Sequence, residues 1–115
     1  MSLTELPRAA WTAALNDFST TYEGWLVSLD IWTPEIGTLP EIDGLPLICV
    51  AADRDQDNTI SISASTEGGH AMHTIHHPIS VTLERDRHGV VSAMHVESAG
   101  GAKTTLRCRM PPDQI

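Results

Sequence analysis

The alternation of apolar and polar residues is most regular between positions 45 and 64. Residues 45–52 are mostly apolar, and six polar residues follow at 53–58. From Ile60 to Ala64 every second residue is apolar, and the residues between them are serines. Period-two alternation beside a turn rich in Asp and Asn is typical of a hairpin with one buried face. The sequence therefore predicts a β-hairpin that the rest of the chain extends or covers.

Four other segments alternate in the same way and predict further strands. They are residues 22–33, 79–84, 90–98 and 104–110. Short turns join the last three, and antiparallel strands can use such turns whereas parallel strands need long crossovers. Residues 34–46 contain three prolines and two glycines, so an ordered loop is expected there instead of a strand. The pattern predicts a curled, mainly antiparallel sheet of about six strands.

One helix is predicted, over residues 6–18. Pro7 suits the first helical turn, where its missing N–H costs no hydrogen bond. Trp11, Leu15 and Phe18 fall on one face, which is expected to pack on the sheet. The predicted fold class is α+β, with this N-terminal helix packed on a sheet over about 22–110. A chain of 115 residues suits a single domain, 1–115.

The composition excludes some classes of partner. Fifteen acidic residues against seven basic ones give a formal net charge of −8. Binding to nucleic-acid phosphates needs clustered Lys and Arg, so no nucleic-acid partner is expected. No apolar run approaches the roughly 18 residues of a transmembrane helix, and no signal peptide is visible. The sequence therefore predicts a cytoplasmic protein that does not contact a membrane.

Two cysteines, Cys49 and Cys108, lie on predicted strands far apart in the sequence. Buried free thiols in a reducing compartment are the expected state. A disulfide is the alternative, and it would require the two strands to be adjacent.

The polar turn of the hairpin resembles part of a calcium loop. Asp53, Asp55 and Asp57 have the spacing of the first three ligands of an EF-hand, but Ala64 stands where the bidentate Glu is needed. We expect the turn to be a solvated cap on the hairpin. Weak cation binding is the alternative.

Four histidines lie close together at positions 70, 73, 76 and 77. On a helix, His70, His73 and His77 would share one face and could bind a metal ion. Gly68 and Gly69 precede the run and Pro78 follows it, so a helix here would be short. Three interpretations stay open: a metal site formed by these three histidines, adventitious binding of nickel or zinc, and a loop of exposed histidines.

Catalytic motifs are not found in the sequence. His73, His95, Asp30 and Glu97 are candidate acids or bases, but the last three fall on polar strand faces and are expected to meet solvent. No nucleophile motif and no glycine-rich phosphate loop is present. No catalytic residue is therefore assigned, no cofactor is expected, and the protein is predicted not to be an enzyme.

Three short motifs resemble a family of small bacterial and archaeal proteins of unknown function. They are Leu6-Pro7-Arg8 with Trp11, Leu45-Pro46-Leu47, and His73-x-Ile75-x-x-Pro78. The resemblance implies a small α+β domain without an established activity or cofactor. It includes His73, Ile75 and Pro78 but not the other three histidines of the cluster, which implies a structural role for His73.

These observations lead to two functional hypotheses. The first is a non-enzymatic interaction or regulatory module, with His73, Ile75, Pro78 and Trp32 as candidate contact residues. Its partner is a second copy of the chain paired along a sheet edge, or another protein. The second is a protein that binds a metal or small ligand through the segment from His70 to His77, with hydrolytic chemistry as one variant.

Overall fold

A computed structural model of the protein describes residues 2–53 and 58–111. Its helices are a short 3-10 helix, Arg8–Ala10, and α1, Trp11–Tyr22. Its strands in chain order are β1 (Ser2–Glu5), β2 (Leu26–Thr33), β3 (Gly37–Asp53), β4 (Thr59–Thr66), β5 (Gly69–His76), β6 (Pro78–Arg85), β7 (Val91–Ser98) and β8 (Lys103–Arg109).

The strands form one antiparallel sheet in the order β1-β6-β7-β8-β2-β3-β4-β5. The sheet is open, and β1 and β5 are its end strands. A single residue, His77, joins β5 to β6, which lies at the other end beside β1. The sheet must therefore curl until its two ends approach each other. The predicted α+β class, with one N-terminal α-helix and an antiparallel sheet, is confirmed.

The predicted number of strands, about six, is wrong, because the described residues form eight. The sequence does not predict β1 because all four of its residues are exposed, so burial imposes no alternation on them. It does not predict β5, where the interpretation as a loop of histidines is also wrong, because only Ile75 of its eight residues is buried. Strands with little burial give a weak sequence signal.

The expected loop at 34–46 is largely a strand. From Gly37 onward it is the first half of β3, whose register with β2 shifts at two points. This half pairs with β2 only, while the second half pairs with β4. An unpaired side is where a sheet tolerates proline, so Pro40 and Pro46 do not interrupt the strand.

The helix is longer than predicted. α1 continues past Phe18 to Tyr22, and β2 begins at Leu26 instead of at residue 22. Ser19 favours a turn in isolation, but here its hydroxyl lies 2.8 Å from the Leu15 carbonyl oxygen within the helix. The predicted apolar face is buried against the sheet, as Trp11, Leu15, Phe18 and Tyr22 all belong to the core.

The helix also covers one edge of the sheet. In the second half of β3, the Val50 N–H donates a hydrogen bond to Ser19 Oγ at 2.7 Å. The segment after the helix bonds to Leu47, whose N–H donates to the Trp25 carbonyl at 2.8 Å and whose carbonyl accepts from the Gly24 N–H at 2.9 Å. On the side of β3 turned away from β4, the backbone groups of Leu47 and Val50 therefore have partners within the chain.

Both cysteines are free thiols, so the disulfide alternative does not apply. The Cys108 thiol donates to the Val91 carbonyl oxygen at 3.2 Å, and burial raises the pKa of Cys108 to about 11. It therefore stays protonated near neutral pH, and reactivity as a thiolate is not expected. As for membranes, none of the helices in residues 2–53 and 58–111 is long and apolar enough to cross one.

Candidate functional site

The open edge of the sheet at β5 is the first part of the candidate site. The strand pairs with β4 without a break, from Gly69 opposite Thr66 to His76 opposite Thr59. It contains no proline and no Lys, Arg, Asp or Glu, and Met72 at its centre is 60% exposed. Edge strands are usually protected by short length, by charge, by proline or by bulges. β5 has none of these protections.

The hydrogen-bonding pattern between β4 and β5 shows which backbone groups of β5 point away from β4. The His77 N–H donates to the Asn58 carbonyl at 3.0 Å, and hydrogen-bonded pairs alternate along an antiparallel ladder. The N–H and C=O groups that point away from β4 therefore belong to the even-numbered residues: His70, Met72, Thr74 and His76. These groups can form hydrogen bonds with one more strand.

A groove of about 360 Å³ lies beside the second half of β5, and we call it the edge groove. One wall is the chain from His73 to His77. The other wall is formed by Ile31 of β2, Thr104 of β8 and small residues of the β7–β8 turn, among them Gly100 and Ala102. The groove is therefore mostly apolar, with imidazole rings on one side.

The corner between β5 and β6 is held by backbone conformations that most residues avoid. His77 has φ of 55° and Asn58 has φ of 47°, both in the left-handed region. Besides its bond to Asn58, His77 accepts a hydrogen bond from the Ala99 N–H at 2.9 Å. Such conformations persist only where the surrounding structure fixes them, and here these hydrogen bonds fix the end of the edge groove.

Arg8 connects the start of the chain to the same corner. Its guanidinium donates to the Pro78 carbonyl at 3.0 Å and to Asn58 Oδ1 at 3.2 Å. It also lies over the Trp11 ring, 4.7 Å from the centroid. Residues of two sequence motifs, Leu6-Pro7-Arg8 with Trp11 and His73-x-Ile75-x-x-Pro78, thus meet where β5 becomes β6. The contacts position the strand and leave its open edge uncovered.

The four clustered histidines do not converge. His73 shares the core-facing side of β5 with Ile75, while His70 and His76 lie on the opposite, exposed side and His77 is in the corner. Across the described ranges, no three His, Cys, Asp or Glu side chains are placed to hold one metal ion. The structure therefore does not bring His70, His73 and His77 together as the metal hypothesis requires.

His73 is half-buried, unlike the exposed His70 and His76. Burial lowers the pKa of His73 below 6.5, the nearby Glu41 carboxylate opposes that shift, and the neighbouring His76 adds to it. The imidazole is therefore neutral at pH 7, and it lines the edge groove as a polar, uncharged group.

The other predicted contact residues are dispersed. Ile75 is buried in the core but reaches the edge groove, and Pro78 is buried at the corner. Trp32 is 39% exposed on the outer face of β2, with Lys103 Nζ 5.5 Å from its ring centroid. It does not line the edge groove, so the predicted residues form one site only in part.

A second groove, of about 460 Å³, lies on the outer face of β6, β7 and β8. His95 Nε2 is 3.0 Å from Glu84 Oε1, and His95 Nδ1 is 3.5 Å from Thr105 Oγ1. Glu97, which is exposed, also lines this groove, whereas Asp30 is not among its lining residues. Sequence reasoning missed Glu84 and Thr105, because only the register of three strands brings them beside His95.

The outer groove is chemically less available than its residues suggest. Both nitrogens of His95 have partners within the protein, on Glu84 and Thr105. The strands beneath are interior to the sheet, so their backbone N–H groups take part in the ladders and do not form an oxyanion site. The arrangement resembles a carboxylate–imidazole–hydroxyl relay, but it lacks the donors that acyl transfer needs.

The calcium interpretation concerns Asp53, Asp55 and Asp57. Asp53 is the last residue of β3, and the other two lie outside the described residues.

Comparison with known proteins gives a family but no function. A model described as a family of unknown function (DUF5335) matches residues 2–114, so the chain belongs to this family. No curated protein and no solved structure matched the chain. That the three short motifs are shared within the family stays a prediction.

Proposed function

We propose that this member of the DUF5335 family is a non-enzymatic interaction module, which binds an extended segment of a partner protein along β5. The observation that carries the proposal is the unprotected edge of β5, with four residues whose backbone groups point outward. Adding a strand to such an edge is a common mode of peptide recognition, in which main-chain hydrogen bonds supply the affinity.

The other edges of the sheet support this choice by contrast. β1 has four residues and ends in Glu5, so it offers a short, charged edge. The first half of β3 carries Pro40, Pro46, Glu41 and Asp43, which are typical protections of an edge. The second half of β3 is covered by α1. β5 is the edge that the described chain leaves long, regular and uncharged.

The edge groove gives the site specificity. An added strand would direct alternate side chains toward the groove, where Ile31 and Ile75 supply apolar contacts. Ser98, Gly100 and Ala102 of the β7–β8 turn border the groove opposite β5. A slender segment fits beside this turn more readily than the edge of a second folded domain, so an extended peptide is the proposed occupant. A second copy of the chain is the rival occupant.

Two of the predicted motifs fit this function as supports. Arg8 and Trp11 hold the Pro78 corner, and Ile75 anchors β5 in the core. In this proposal His73, Ile75 and Pro78 fix the position of the binding strand, while Thr74 and His76 between them turn their backbone groups to the partner.

Selection of random peptides of about 12 residues on the intact protein tests the proposal. Met72→Pro removes one outward N–H while leaving the bonds to β4. We expect it to raise the dissociation constant of the selected peptide at least about tenfold. Met72→Thr is the matched control, since it changes the side chain but keeps the N–H, and its dissociation constant should stay within about threefold.

Three results would count against the proposal. They are a selection that yields no peptide, a peptide that binds Met72→Pro as well as the wild type, and light scattering that shows a dimer which Met72→Pro dissociates. The last result would assign the edge to a second copy. Circular dichroism of Met72→Pro must match the wild type for the binding comparison to hold.

A further inference from the structure

Resting on the proposed function, we infer that the segment bound at β5 has an aliphatic centre and basic flanks, and that acid releases it. The lining of the edge groove, the charge of the chain and the position of the histidines all bear on what this edge can bind.

The groove selects uncharged side chains. Its lining contains no carboxylate, ammonium or guanidinium group among the described residues, and its titratable members are His73, His76 and His77. A charged side chain placed there would lose water without gaining an opposite charge, which is costly. Contacts with Ile31 and Ile75 favour aliphatic side chains, and β-branched ones also suit an extended strand.

The surroundings of the groove favour positive charge on the rest of the segment. The chain carries a formal charge of −8, and residues 69–80 contribute neither an acid nor a base other than histidine. Glu41 of β3 is close enough to His73 to act on its pKa. A segment with Lys or Arg on either side of its aliphatic centre is therefore attracted to this protein, whereas an acidic segment is repelled.

The histidines make this attraction depend on pH. Four of the six histidines lie between positions 70 and 77, along the edge or at its corner. Protonation of all six would raise the formal charge from −8 to −2 and would place positive charge beside the bound segment. Glu41 is the carboxylate that opposes this charge, Arg8 at the Pro78 corner adds a permanent positive charge, and the facing wall from Ile31 to the β7–β8 turn adds none. A basic segment is then repelled at the place where it docks.

The test uses three labelled peptides with one aliphatic centre of alternating Val, flanked by Lys, by Ser or by Glu. At pH about 7.5 and low salt, we expect the Lys-flanked peptide to bind about tenfold more tightly than the Glu-flanked one. Lowering the pH to about 5.5 should weaken the binding of the Lys-flanked peptide about tenfold and should tighten the binding of the Glu-flanked one. Salt should reduce both differences.

A variant with all four histidines replaced isolates the acid effect. His70→Gln, His73→Gln and His76→Gln keep the polarity of the strand, and His77→Asn suits the left-handed conformation of the corner. Whatever its affinity for the Lys-flanked peptide at pH about 7.5, this variant should show nearly the same dissociation constant at pH about 5.5, because the titrating groups are gone. His88→Gln, in a turn away from β5, is the matched control and should keep the pH dependence.

The outcomes separate the inference from the function beneath it. If all three peptides bind equally and Met72→Pro weakens them, the interaction module stands and the charge preference is wrong. If the pH dependence survives in the four-histidine variant, acid release by these histidines is wrong. If none of the three peptides and no selected peptide binds, both the proposed function and the inference that rests on it are wrong.

Discussion

β3 and β5 flank β4 on opposite sides, and their outward edges differ in whether another part of the chain forms hydrogen bonds with them. On β3, Ser19 bonds to Val50, and the segment after α1 bonds to Leu47. On β5, the outward groups of four residues meet no other strand of the described chain. Because the polar groups of the backbone are the same on both strands, the difference shows which edge is covered within the fold, and the proposed function assigns the other edge to a partner.

This comparison predicts that changes at the covered edge cost stability, whereas changes at the open edge cost binding.

Removing the anchor of the covering helix should have the largest effect. Trp11 is buried, its indole N–H donates to the Leu6 carbonyl at 3.1 Å, and its ring carries Arg8. Trp11→Ala should lower the free energy of unfolding by about 3–5 kcal/mol, measured by urea denaturation. Trp32→Ala is the control, since Trp32 is partly exposed, and it should cost about 1 kcal/mol or less. Equal losses would mean that α1 does not support the covered edge.

Removing the Ser19 hydroxyl, which bonds to the outward edge of β3, should have the next largest effect on the free energy of unfolding. Ser19→Ala leaves the Val50 N–H without its acceptor, and we expect a loss of about 1–3 kcal/mol. Thr20→Ala removes a hydroxyl that donates to the Asn16 carbonyl on the exposed side of the same helix, so it should change the free energy of unfolding by about 0.5 kcal/mol or less. If both variants unfold at the same urea concentration, the helix does not satisfy that edge.

A smaller effect should appear on acidification. Burial holds the pKa of His73 below 6.5, so the unfolded chain takes up its proton first as the pH falls. The contribution of the neutral imidazole is complete above pH 6.5 and is lost as the pH falls through the lowered pKa. His73→Gln should therefore lose less stability between pH about 7.5 and about 5.5 than the wild type, while exposed His70→Gln should behave like the wild type. A parallel decline in all three proteins would contradict this assignment.

The smallest change in stability should come from the open edge itself. Met72 is 60% exposed, so Met72→Ala should alter the free energy of unfolding by about 0.5 kcal/mol or less. Met94, on the core side of β7, is the matched control, and Met94→Ala should cost about 2–5 kcal/mol. A large loss at Met72 would show that β5 is part of an assembly that its side chain stabilises.

The sequence predicts well those elements in which one face is buried. The hairpin around residues 53–58, the helical stripe of Trp11 and Leu15, and the strands β6, β7 and β8 all alternate because the core demands it. The elements that it does not predict, β1, β5 and the first half of β3, are exposed or edge segments. In those segments hydrogen bonding with a neighbour decides the structure, and side-chain burial adds little to the signal.

The candidate site divides in the same way. His73, Ile75 and Pro78 can be selected from the sequence, and the structure places the first two in β5 and Pro78 at the start of β6. The sequence alone does not show that the imidazoles face different directions, because that depends on the segment being a strand. Nor does it show Glu84 and Thr105 beside His95, since this contact requires the register of three strands.

By itself, the sequence determined the α+β class, the apolar face of the helix, the hairpin and the acidic charge, because each of these follows from local pattern or composition. The tertiary structure alone decided that β3 pairs with both β2 and β4, that α1 covers its edge, and that the edge of β5 is left open. Those features depend on which backbone groups find partners far away in the sequence. Hydrogen bonding between distant segments leaves little periodic trace in the chain.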